Sequence, residues 1–165
     1  MYEKLSRAKL EATAPYYWFE RVAKHIAPQA ESKPYVTDLN LVADLPAEVR
    51  AIYFLWMFVC EAGGNGIECF LLQQQGLFTP QVHEALRLVG ATELVVRLEA
   101  AIPHAIKEES EFTFGPDMSW FRQFPNNSDY PTLQSVDKGV WKLINDDLVA
   151  RCNELINQHK DVFLS

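Results

Sequence analysis

The chain has 165 residues, 48% apolar, 12% aromatic and 22% charged, which suits a single packed domain over 1–165 and excludes disorder of the chain as a whole. Its net charge of −7 lies wholly in residues 61–165, with eight Lys/Arg against fifteen Asp/Glu, while residues 1–60 carry seven of each. Affinity for phosphate rests on Lys and Arg, so nucleic acid and anionic membranes are disfavoured as direct partners and a basic protein is not.

In chain order, the first ten residues carry charges where an export signal needs an apolar run. Pro15 opens a first helix, with Trp18, Val22 and Ile26 at four-residue spacing, expected to stop before Pro28. Residues 28–45 are mixed, with Pro28, Pro34 and several polar residues, and read as a loop with room for a short turn. The central helix starts at Pro46, with Ile52, Trp56 and Val59 on one stripe and Tyr53, Leu55 and Phe58 filling most of the rest. Such an all-round apolar helix belongs at the centre of a bundle, with Trp56 and Val59 buried. Its apolar run, Ala51 to Cys60, is about half of what a bilayer span needs. It is expected to stop at Gly63-Gly64.

A helix from Ile67 to Gln75 ends at Gly76. Thr79 as N-cap and Pro80 open the next, carrying Val82, Leu86 and Val89 inward until Gly90. Thr92 caps another, with Leu94, Val95, Leu98 and Ile102 on its apolar face. Periodicity then vanishes over about 108–131, an irregular insert holding Phe112, Phe114, Trp120, Phe121, Phe124 and Tyr130. Two helices close the chain, Leu133 to Ile144 and Asp146 to Lys160, with Leu148, Cys152, Leu155 and Ile156 facing inward and Asp146 and Asp147 favourably placed against the dipole of the last one. The expected fold is all-α, an irregular bundle of about six to seven helices with a long aromatic-rich loop.

No motif carries chemistry. The four histidines, His25, His83, His104 and His159, form no HxxxH or HExxH pattern. The three cysteines, Cys60, Cys69 and Cys152, are odd in number and form no CxxC pair, which fits buried thiols in a reducing compartment, so a cytoplasmic location is expected. Cys60 lies in the most apolar segment and is expected in the core, inert. Gly63-Gly64-Asn65-Gly66 lacks the lysine and hydroxyl of a phosphate loop and follows a helix, so it reads as a corner. No catalytic residue, metal site or cofactor is expected.

Two segments carry a resemblance. Glu61-Ala-Gly-Gly-Asn-Gly-Ile-Glu-Cys-Phe70, with Gly76 and Ala85-Leu86-Arg-Leu-Val-Gly90-Ala91, resembles the "NGGF…F…G…AL..IGA" core of a bacterial DNA-mimic-protein-like family. Val136-Asp137-Lys-Gly-Val-Trp141, Asp146-Asp-Leu148 and Ile156-Asn-Gln-His159-Lys-Asp-Val-Phe163 are similar to its closing "LD..fy…edL…yI..h...F" pattern. The likeness covers about 61–165, without the insert, and departs where Gly-Asn-Gly-Ile replaces Asn-Gly-Gly-Phe. It implies an all-α fold, no catalysis, binding to another protein, and leaves a homodimer open. Two roles are implied: an immunity protein neutralising a toxin, or a DNA mimic blocking a DNA-binding regulator.

Charge bears on the choice. A globule of this length has a radius of gyration of about 15 Å, and duplex DNA spanning its roughly 40 Å diameter carries about 23 negative charges. Seven net charges match that field only if crowded on one face. A non-enzymatic inhibitor that occludes a partner protein is therefore the expected function, with the mimic as alternative. The expected contact residues are Glu108, Glu109, Glu111, Asp117, Trp120, Phe121 and Phe124 in the insert, with Asp146 and Asp147. Acidic flanks around aromatic anchors are what binding hot spots contain.

Overall fold

The computed structural model describes residues 2–33, 36–72, 78–109 and 136–165, and within them the architecture is all-α apart from one small hairpin. Helix α1 (Arg7–Glu11) is capped by Ser6, whose hydroxyl accepts from the Lys9 N–H. A 3-10 turn, Pro15–Tyr17, leads into α2 (Trp18–Ala30). Val22 and Ile26 of the expected stripe are buried, together with Phe19 and Ala23, while Trp18 is only partly buried, so the packing face is turned by one residue toward Phe19. The helix does not stop before Pro28, which lies inside it. Proline there loses the bond to the carbonyl one turn back. The helix ends at Ala30, so only its last turn bears that loss.

Residues 28–45 are likewise not a plain loop. They hold the end of α2, an antiparallel pair β1 (Glu31–Lys33) and β2 (Val36–Thr37), and α3 (Leu39–Ala43). Asp38 caps α3 by accepting from the N–H groups of Asn40 at 2.9 Å and Leu41 at 3.4 Å. So short a hairpin is marginal alone. Here the Thr37 and Tyr53 hydroxyls, 2.6 Å apart, pin it to the central helix.

That helix, α4 (Ala47–Asn65), is the hub. Around it pack α2, α5 (Ile67–Leu72) and α6 (Thr79–Leu88). Ile52, Leu55 and Phe58 are fully enclosed, and Phe58 meets Phe70 edge-on at 5.2 Å. Trp56 and Val59 are only partly buried, contrary to expectation. Trp56 stands at the rim, edge-on to Phe19 at 5.7 Å, with the Lys24 ammonium 5.9 Å from its ring centre. A large ring with a polar edge fits such a half-wet position.

The expected stop at Gly63-Gly64 is also corrected: both lie inside α4, and the turn comes at Gly66, with φ 92°. Glycine within a helix costs only about 0.5–1 kcal/mol, which packing of the hub overrides. Helix α5 is described as far as Leu72, and residues 73–75 of the expected Ile67–Gln75 segment, with Gly76 after it, lie outside the described residues. Thr79 falls in the first turn of α6 rather than capping it, with Val82 and Leu86 inward. After Gly90, at φ 70°, comes α7 (Thr92–Glu109), with Leu94, Val95 and Leu98 buried.

The expected closing helices, Leu133 to Ile144 and Asp146 to Lys160, are joined without a break at 145. The joined run begins only at Val140, after a turn at Lys138-Gly139, and residues 133–135 lie outside the described residues. Gly139, at φ 87°, opens α8 (Val140–Leu143), which passes through a π-helical turn, Ile144–Leu148, into α9 (Val149–Gln158). The polar Asn145-Asp146-Asp147 stretch does not break it. The Asn145 amide donates to the Trp141 carbonyl at 2.7 Å, and Asp147 pairs with Arg151 one turn on at 2.7 Å. Asp146 and Asp147 thus sit mid-run, without the expected benefit from a helix N-terminus. After α10 (Lys160–Phe163), Leu164 lies parallel to Leu5, with the Leu5 N–H on the Phe163 carbonyl and the Ser165 N–H on the Leu5 carbonyl, each at 3.0 Å. No helix among the described residues is long and apolar enough to cross a membrane.

Candidate functional site

The glycine corner and the Val136–Trp141 segment, distant in sequence, meet. An Asp137 carboxylate oxygen accepts from the Ile67 N–H at 2.6 Å and so caps α5 from outside. A Cβ on Gly66 would run into that carboxylate. Arg97 of α7 donates to the Val136 carbonyl at 2.8 Å and the Lys138 carbonyl at 2.7 Å, bracketing Asp137. Burial pushes the Asp137 carboxyl above its usual range, against the opposing pull of the Ile67 N–H and Arg97.

This geometry is a structural knot, and it yields a pH prediction. A folded pKa raised above the unfolded one gives stability that is present below the unfolded value and lost as pH rises through the folded one. Asp137→Asn keeps the acceptor and removes the buried charge. The variant should be at least as stable as the parent near neutral pH. Urea titrations between about pH 4 and 7 should show it lacking part of the parent's gain on acidification. An identical pH slope for both proteins would refute the assignment.

Ordinary sources of chemistry are scattered among the described residues. The His25 ring lies 2.9 Å from the Glu3 carbonyl, His83 2.7 Å from Glu99, and His159 3.7 Å from Glu48. No three potential metal ligands gather among the described residues. Cys152 is buried and its thiol is pushed far up by desolvation. Cys60, expected in the core, is exposed instead. At about 100° per residue, two positions past the enclosed Phe58 faces the other way. Partial desolvation and then Glu61 still raise its thiol, which keeps it a poor nucleophile.

Of the expected contact residues, Glu111, Asp117, Trp120, Phe121 and Phe124 lie outside the described residues. Glu108 and Glu109 end the backbone of α7, and their side chains are likewise outside. Only Asp146 and Asp147 are placed, both on the π-helical turn. Asp146 is exposed. Asp147 is tied to Arg151, which also donates to the Val89 carbonyl at 3.4 Å and so links α9 to the end of α6.

Three exposed rings were not singled out from the sequence: Trp141 at 64%, Tyr16 at 61% and Tyr17 at 53%. For Trp141 a signal existed. Val140, Ile144 and Leu148 recur at four-residue spacing and are buried, which turns the neighbouring position outward. The solvent side of the run continues in four-residue steps through Lys142, Asp146, Ala150 and Glu154, all exposed. Tyr16 and Tyr17 stack edge-on at 5.2 Å. Asn153 of α9 holds their turn, donating to the Tyr16 carbonyl at 3.2 Å while accepting from the Phe19 N–H at 2.7 Å. The α8–α9 run therefore carries or anchors solvent-facing aromatics and carboxylates, with a π-helical turn between Trp141 and the tyrosines, a distortion common at functional sites.

A family model described as DMP19-like protein matches residues 43–159. The match takes in α4, the glycine corner and the α8–α9 run, beginning earlier than the 61–165 resemblance and stopping short of α10. No curated protein and no solved structure matches the chain.

Proposed function

Because the chain belongs to the DMP19-like protein family, we propose that it is a non-enzymatic cytoplasmic protein that works by binding another protein and covering its surface. The observation that carries this is Trp141, 64% exposed on the α8–α9 run that also carries the exposed Asp146. Exposed tryptophan is unfavourable in water and is over-represented among residues that dominate binding energy. Asp146 and Glu154 on the same run favour a partner with basic groups around an apolar centre.

Two forms of occlusion have separate support. The family favours a DNA mimic that blocks a DNA-binding regulator. The charge pattern favours a more local contact, as between an immunity protein and its toxin. Glu20, Glu93, Glu99 and Asp147 each pair with a cation of the chain itself, which weakens any extended negative field.

The test is a partner captured on the wild-type chain and titrated against the double variant Trp141→Ala with Tyr16→Ala. Both residues are exposed, so unfolding stability should stay within about 0.5 kcal/mol. Affinity should fall by roughly thirtyfold or more if Trp141 is a hot spot. Unchanged affinity in the folded variant would remove this face. Displacement by duplex DNA identifies the mimic form, and a complex that duplex DNA leaves intact identifies the other.

A further inference from the structure

We propose that the groove between α3, α4 and α6 is a second docking site, separate from the α8–α9 face, and that it takes an amphipathic helix of a partner protein. The groove encloses about 490 Å³. It exists because the wall of α4 is built from Ala47 and Ala51, too small to fill the space between α3 and α6, with Phe54 closing the inner end. Leu39 of α3 and Leu88 of α6 form its shoulders, 43% and 52% exposed. These exposed apolar side chains on the two flanking helices suit a helix laid along the groove with its aliphatic ridge between them.

Polar groups on the walls specify the flanks of that helix. On α6, Glu84 is exposed and makes no ion pair among the described residues, so it calls for a Lys or Arg. On α4, Arg50 donates to the Ala43 carbonyl at 3.3 Å and makes no ion pair among the described residues, so its remaining N–H groups suit a carboxylate. Opposite charges on opposite walls give the partner helix one direction, since reversal would set like charges together.

The probe is a fluorescein-labelled synthetic peptide of high helix propensity, with leucines at i, i+4 and i+7, lysines along one flank and glutamates along the other. Titrated with the full chain, it should bind with a Kd of about 1–100 μM. A scrambled peptide of equal composition should not. Ala47→Trp fills the groove from an exposed position, and Leu88→Ser removes one shoulder. Each should weaken binding at least tenfold without moving the melting temperature, and Glu84→Lys should weaken it less. Trp141→Ala should leave the peptide bound, so a failure here and a failure of the α8–α9 face are told apart. No binding at about 1 mM, equal binding of the scrambled peptide, or a folded Ala47→Trp variant of full affinity would each overturn the proposal.

Discussion

Gly66→Ala should destabilise the protein by about 2–5 kcal/mol, a large share of the roughly 5–15 kcal/mol that holds a domain of this size together. Two effects add. The φ of 92° and ψ of 163° at Gly66 lie in a region nearly confined to glycine, where a side chain costs about 1–3 kcal/mol. The new Cβ also displaces the Asp137 carboxylate from the Ile67 N–H, and losing such a cap costs about 0.5–2 kcal/mol. Gly64→Ala is the control two residues away. Gly64 is helical and a Cβ there meets nothing within 4 Å, so alanine should stabilise by about 0.5–1 kcal/mol. Urea denaturation of the two variants should move in opposite directions. Shifts of the same sign would mean that the corner is misplaced.

Phe58→Ala should cost about 3–5 kcal/mol, as for other enclosed aromatic side chains. Trp56→Ala, although it deletes a larger ring, should cost roughly half as much. Trp56 already has part of its surface in water, and its contact with Lys24 at 5.9 Å adds only about 0.5–1 kcal/mol. The order matters more than either value. A Trp56 variant less stable than the Phe58 variant would place the wrong side of α4 in the core.

The hub and the all-α class were legible because residues 51–60 are apolar nearly all round and Val82 and Leu86 repeat with the helical period. The stripe of Ile52, Trp56 and Val59 does not, however, coincide with the most buried face, Ile52, Leu55 and Phe58. Errors arose where a local signal met a stronger tertiary one. Pro28 and Gly63-Gly64 are helix breakers in isolation, yet packing carries α2 and α4 through them. Asn145-Asp146-Asp147 reads as a break until Asn145 and Arg151 are seen to bond within the helical run. The hairpin was missed because strands this short have no period to detect. Asp38 ahead of Leu39, Leu41 and Val42 is a readable cap signal for α3. The site was less legible than the fold. The aromatic insert stands out by composition, and the spacing of Val140, Ile144 and Leu148 turns Trp141 outward, whereas the space beside Ala47 and Ala51 depends on which elements pack against α4. No single-chain pattern encodes that.

Arg97 has a consequence for how such a chain can change over generations. By bonding the carbonyls of Val136 and Lys138, it fastens the chain after position 135 back onto the helix that precedes position 110. The entry and exit of residues 110–135 are thus fixed by contacts outside that stretch. Across lineages, Arg97 should therefore change less often than the exposed positions of α7 beside it, such as Val96 and Ala100.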